Sequence, residues 1–180
     1  MKKIRFALLA VAVSLAGCAA TVQKSAPAGA APAAIQIPAD SSKRVVLSMQ
    51  LDPKHPQDTG WQAFKQEWID ITKEQATAQG LQFAAQDGAP KPSGESGTLL
   101  VVRVNDYRHV GVGARIFGGI MTGNAFIDAK VEFRDLKTGT LYGERSYNTS
   151  SSAGHGIFAA VTPKQIYAIA DEALGEIKGR

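Results

Sequence analysis

The sequence predicts an α+β domain, an antiparallel sheet of four to five strands with two helices packed on one face. Three features predict it. Residues 98–107 (TLLVVRVNDY) form a nearly continuous apolar and β-branched run. Residues 125–136 alternate apolar with charged side chains, the period of a strand with one dry and one wet face. One stretch before these strands and one after them carry apolar residues at spacings of three and four, the period of a helix.

Taken in order, residues 44–51 (RVVLSMQL) read as a first strand, bounded by Ser41-Ser42 and by Asp52-Pro53. Trp61, Phe64, Trp68, Ile71 and Gln75 then mark one face of a helix over 61–79, with Gly80 as its stop. Trp61 and Trp68 lie seven apart on that face, which points to core packing rather than to a sugar-stacking platform. Residues 81–85 read as a short strand and 86–97 (QDGAPKPSGESG) as a polar loop. In the alternating strand Ile127, Ala129, Val131 and Phe133 face the core, with Asp128, Lys130, Glu132 and Arg134 toward water. The turn Asp135-Leu136-Lys137-Thr138-Gly139 sends residues 140–149 back as a hairpin. Thr162 as cap, Pro163 in the first helical position and Gln165 three residues after the cap open a last helix. Its apolar stripe is Ile166, Ile169, Ala170, Ala173, Leu174 and Ile177.

The N-terminal segment has a different composition. Lys2, Lys3 and Arg5 precede a run of about nine apolar or small residues that closes on Leu15-Ala16-Gly17-Cys18. A cationic start, a short apolar stretch and small residues at the cut describe a secretory signal over 1–17. The run is too short to span a bilayer, which takes about 20 apolar residues. The four closing residues resemble the lipobox of bacterial lipoproteins, in which the cysteine thiol is diacylated, the signal is removed and the new amino terminus is acylated, typically with palmitate. Cys18 is the single cysteine of the chain, so no intramolecular disulfide can form. Two or more acyl chains hold a protein to a membrane stably, whereas one is marginal. Ala19 rather than Asp follows; by resemblance to enterobacterial sorting this implies the outer membrane, with the domain facing the periplasm.

Residues 18–42 are rich in Ala and Pro and poor in large apolar side chains, so they read as the lipidated cysteine and a disordered, semi-flexible tether. Residues 43–180 read as a single α+β domain, which 180 residues can hold with an extension but not double. The formal charge of +4 is concentrated at the start: without Lys2, Lys3 and Arg5, 17 basic residues face 16 acidic ones. Nothing in that balance argues for nucleic acid as a partner.

Residues 111–124 hold five glycines and a single charge between two strands. Asn124 after Gly123 lacks the Lys and hydroxyl of a phosphate loop, the glycine spacing fails the dinucleotide fingerprint, and the segment is too short for a transmembrane helix. Three readings remain. The stretch is a loop whose glycines permit tight turns, or a partner contact in which Ile116, Phe117, Ile120 and Met121 form an apolar surface, or a segment that becomes membrane-inserted strands on oligomerisation.

This stretch with Gly123-Asn124-Ala125, the alternating strand, the Asp135 to Gly139 turn and Leu141-Tyr142 together resemble envelope lipoproteins grouped as the domain of unknown function 4410 family, over about residues 44–178. The resemblance implies a cell-envelope α+β domain working as an adaptor, and it carries no catalytic residue. An enzyme reading has Asp106, Arg108 and His109 at the end of a strand, and His55 and His155 in separate loops, the latter near Ser150, Ser151 and Ser152. No Gly-x-Ser-x-Gly elbow and no metal-ligand spacing accompanies them. The expectation is therefore a protein that is not an enzyme, with no catalytic residue, metal or cofactor. Its partners are the membrane, through the lipid on Cys18, and an envelope protein or a second copy of itself. The alternative is a periplasmic binding module for a small or polymeric envelope ligand, with a hydrolase behind both.

Overall fold

The structure, a computed structural model, describes residues 21–25, 33–57, 59–108, 125–150 and 161–180, with backbone alone at 21–25, 150 and 161. Its elements are β1 (Thr21–Ser25), β2 (Arg44–Leu51), α1 (Thr59–Ala78), β3 (Gln82–Gln86), β4 (Thr98–Arg108), β5 (Phe126–Asp135), β6 (Leu141–Ser150) and α2 (Val161–Ile177). The strands form one six-stranded sheet in the order β1-β6-β5-β4-β2-β3.

The α+β class holds, but the antiparallel sheet of the sequence reading is corrected. β1, β6, β5 and β4 are antiparallel neighbours, whereas β2 is parallel to both β3 and β4. The cause is in the connections. Helix α1 returns the chain from the end of β2 to its start, so β3 runs the same way as β2. Residues 87–97 then return it again, and Thr98 enters β4 beside Val45. An apolar strand buried on both faces looks alike in either sense, so residue pattern alone left the direction open.

Both helices lie on one face. Val45, Leu47, Met49 and Leu51 of β2, Leu100, Val102 and Val104 of β4, and Ile127, Ala129, Val131 and Phe133 of β5 pack with Trp61, Phe64 and Trp68 of α1 and with Ile166, Ile169, Leu174 and Ile177 of α2. Phe64 and Trp68 are essentially inaccessible to water, so the tryptophans are core residues. Burying a side chain of this size contributes about 1.5–3 kcal/mol, which makes this face the main source of stability.

The opposite face carries a smaller core of Leu99, Val101 and Leu136, with Val46 against it. The 87–97 segment is tied to that face, Ser93 N donating to Leu136 O (2.9 Å) and Leu136 N to Gly97 O (2.9 Å). Gly97 has φ +154, and a Cβ there would come 3.0 Å from Leu136 Cδ2 and 3.1 Å from Arg44 O, so the close approach requires glycine.

The tether reading is corrected within residues 18–42. Thr21–Ser25 forms a strand against β6. Ile35 is buried, and its side chain fills the space over Gly143, where an added Cβ would lie 2.9 Å from Cγ1. Thr98 Oγ1 donates to Ser41 O (2.9 Å), and the Ser41 and Tyr142 hydroxyls share a hydrogen bond (3.1 Å). Low apolar content hid this because a few well-placed residues do the docking. Among the described residues no helix is long and apolar enough to cross a membrane.

Candidate functional site

The best strand, β4, ends in a polar cluster built on an irregularity. The β4/β5 register shifts between Val104 and Asp106, so Asn105 is the extra residue of a bulge, a feature that re-aims the side chains after it. Asp106 Oδ1 accepts from Tyr107 N (2.8 Å) and lies 3.3 Å from His55 Nε2, which is also 3.2 Å from Asn105 O. Because both neighbours of Nε2 are acceptors, that nitrogen carries the proton. The His55 loop is itself folded by Asp52: Lys54 N donates to Asp52 Oδ1 (3.0 Å) and His55 N to Asp52 O (3.0 Å). Beneath lies an aromatic stack. Tyr107 stacks on Phe64 (4.4 Å between centroids), with Trp61 at 6.0 Å and the edge of His55 at 6.4 Å. A hollow of about 190 Å³ beside it is lined by Gln50, Leu51, Asp52, Pro53, Arg103 and Asn105, among others.

A carboxylate–imidazole pair can hold and move a proton. Here both of its members are also used in fixing the 52–55 loop to the strand end. Among the described residues no group of three or more His, Cys, Asp or Glu side chains is placed to hold a metal.

The helix-free face of the sheet is a charged ladder. Glu132 is nearly buried and accepts from Arg103 Nε (2.5 Å) and Arg134 Nε (2.7 Å), while Lys130 Nζ bonds Glu144 (3.0 Å). Burial pushes the Glu132 carboxyl upward, but the hydrogen bonds and charges of the two arginines outweigh it and hold it below the usual range. This corrects the expectation that Glu132 faces water.

A third polar group sits inside the molecule. Arg145, on the core side of β6, donates to Glu176 of α2 from Nε (2.8 Å) and Nη2 (3.2 Å), and from Nη2 to Ala33 O (2.6 Å). Both side chains are more than nine-tenths buried. The adjacent Tyr147 phenol is pushed well above its ordinary range by burial and by Glu176 and Glu172. Arg145 thus joins the last helix, the sheet and the chain entering the domain. An open groove of about 480 Å³ runs beside it, lined by Ile35, Ile37, Ser42, Glu176, Lys178 and Arg180, among others.

Of the residues singled out from sequence, the structure describes Asp106, Arg108 and His55, and it brings His55 to Asp106. The sequence left His55 in a separate loop because the parallel pairing of β2 with β4, which joins their two ends, was not legible. Arg145 and Glu176 were missed as well; Glu176 flanks the α2 stripe, one position before Ile177, and nothing local marks it as buried. Cys18, His109, the contact residues Ile116, Phe117, Ile120 and Met121, and Ser151, Ser152 and His155 lie outside the described residues. Ser150 is described by backbone alone, as the partner of Thr21 and Phe126.

No family model and no curated protein matches the chain. Solved structures do. PelC from Paraburkholderia phytofirmans, a dodecamer in its crystals, shares 14% identity over 89% of this chain and 98% of that one, with a TM-score of 0.50. A point variant of PelC in another crystal form gives 16% identity over the same shares and a TM-score of 0.47. A putative neuraminyllactose-binding hemagglutinin homolog from Helicobacter pylori gives 8% identity over 79% and 89% of the two chains, at 0.40. At such identities the likeness is one of fold.

Proposed function

We propose that this chain is an outer-membrane-anchored periplasmic lipoprotein that serves as a non-enzymatic interaction or assembly component of the cell envelope. The carrying observation is the single cysteine, placed where a cationic start, a short apolar run and Leu15-Ala16-Gly17 end. Acylation there fixes the domain to a membrane, and β1 follows three residues later. The adaptor role implied by the resemblance to the domain of unknown function 4410 family agrees with this reading. Self-association is the partner we favour, because a chain of this fold, PelC, builds a dodecamer.

Among the described residues, the His55–Asp106 pair serves as a clamp that fixes the 52–55 loop to the strand end. A binding module for an envelope ligand is the second reading; the groove beside Ile35 and Arg180 is the hollow that favours it.

Photo-crosslinking in living cells from Phe117 and Ile120 tests the contact. The expected result is a discrete protein adduct, a self-adduct if the partner is a second copy. Adducts to lipid or glycan alone, or none while the protein is exported and folded, would overturn the protein-contact reading and leave the segment as a ligand lid or a structural connection.

A further inference from the structure

We infer that the sheet stands end-on to the membrane, with the end that carries Lys54, Arg108 and Phe126 against the lipid headgroups and the Leu136 to Thr140 turn pointing away. The inference rests on the anchoring of Cys18 proposed above and adds the surface and the orientation.

It follows from where the chain re-enters the fold after its anchor. Thr21 is three residues from Cys18, and three extended residues reach at most about 11 Å. Thr21 pairs with Ser150, the last residue of β6, and Ser150 pairs with Phe126, the first residue of β5. Phe126 in turn pairs with Arg108, the last residue of β4. β2 runs parallel to β4, so Leu51 and the loop of Lys54 and His55 reach the same end. Gln165, early in α2, donates to Ala125 O (3.1 Å), which places the start of that helix there too. An anchor of that length therefore reaches one end of the domain and no other.

The opposite end lies far from the lipid. β6 spans ten residues from Ser150 back to Leu141, about 30 Å at the usual strand rise. The headgroup layer on each side of a bilayer is only about 5–8 Å thick. Charge is not the driving term, since Asp52, Asp106 and Asp128 face the same end as Lys54 and Arg108. The constraint is covalent: the short link holds this end down, and standing upright keeps the charged helix-free face hydrated.

The acylated cysteine makes the test clean. Cys18 is the only cysteine, so in the mature lipoprotein an introduced cysteine is the only thiol that takes a maleimide fluorophore. Lys54→Cys, Arg108→Cys and Thr138→Cys all replace exposed residues, the first two at the anchored end and the last at the far turn. Each full-length mature protein is placed in vesicles of phosphatidylethanolamine and phosphatidylglycerol that carry a few per cent of lipid with a headgroup nitroxide. The expected result is quenching several-fold stronger at positions 54 and 108 than at 138. Equal quenching at all three would mean that the domain lies along the bilayer, and stronger quenching at 138 that it is inverted; either overturns the inference while the anchor stands. If the parent protein itself takes the label, Cys18 is not acylated, and the anchoring and the orientation fall together.

Discussion

Gly143→Ala, near the start of β6, should destabilise the domain, although replacing a strand glycine by alanine ordinarily adds about 0.5–1 kcal/mol. The added Cβ would meet Ile35 Cγ1 at 2.9 Å, Cδ1 at 3.1 Å and Cγ2 at 3.3 Å. A β-branched side chain surrounding the new methyl at three points cannot relieve all three contacts by one rotation. Either Ile35 leaves its site, losing most of the roughly 1.5–3 kcal/mol that its burial contributes, or the crowding is retained at about 1–3 kcal/mol. The net expectation is a loss of about 1–2 kcal/mol. Ile35→Ala alone should cost about 2 kcal/mol, at the low end for large-to-small changes because the site is at the rim. The double variant should then cost about as much as Ile35→Ala alone, since the methyl introduced at position 143 enters the space that isoleucine vacates. Urea unfolding of the four proteins measures this coupling as a cycle, with at least 1 kcal/mol of non-additivity expected between the pair. Additive effects, or a stabilising Gly143→Ala, would show that residues 33–42 are not docked on the sheet in solution.

Arg145→Met removes two bonds to Glu176 and one to Ala33 O from the interior. Breaking such a buried pair costs about 3–5 kcal/mol, so calorimetry should show a Tm lower by roughly 10 °C or more. Glu132 links stability to pH. Its folded pKa lies below the ordinary 4.5, so its contribution is fully present above about pH 4.5 and is lost as pH falls through the lower, folded value. Urea midpoints measured between neutral pH and the acid range should fall more steeply for the parent than for Glu132→Gln, and equal slopes would contradict this.

How legible the fold was depended on whether a feature is local. The bounds of β2, the alternation of Ile127 to Phe133 and the α2 stripe follow from hydrophobic period, and the structure places those side chains in the core. Helix α2 begins at Val161, one residue before the expected Thr162 cap, a difference within the usual fraying of such boundaries. What was not legible is long-range. The parallel β2–β4 pairing is set by the route of residues 87–97, which read only as a polar loop. Docking of the tether rests on a few long-range contacts, Ile35 over Gly143, Ser41 with Thr98 and Tyr142, and Ala33 O with Arg145. The His55–Asp106 contact follows from that same strand pairing, and Glu132 looked solvent-facing because a period of two cannot foresee two arginines closing over a carboxylate. The lipidation proposed for Cys18 rests entirely on local sequence, and Cys18 lies outside the described residues.

The most direct test of the central claim is the intact mass of the full-length protein recovered from the outer-membrane fraction of cells expressing the parent or Cys18→Ala. The expected parent chain begins at Cys18 and carries the mass of its acyl groups, while Cys18→Ala retains its first 17 residues unacylated and is lost from that fraction. A parent chain that is unacylated and soluble, or a Cys18→Ala protein that fractionates as the parent does, would contradict the claim.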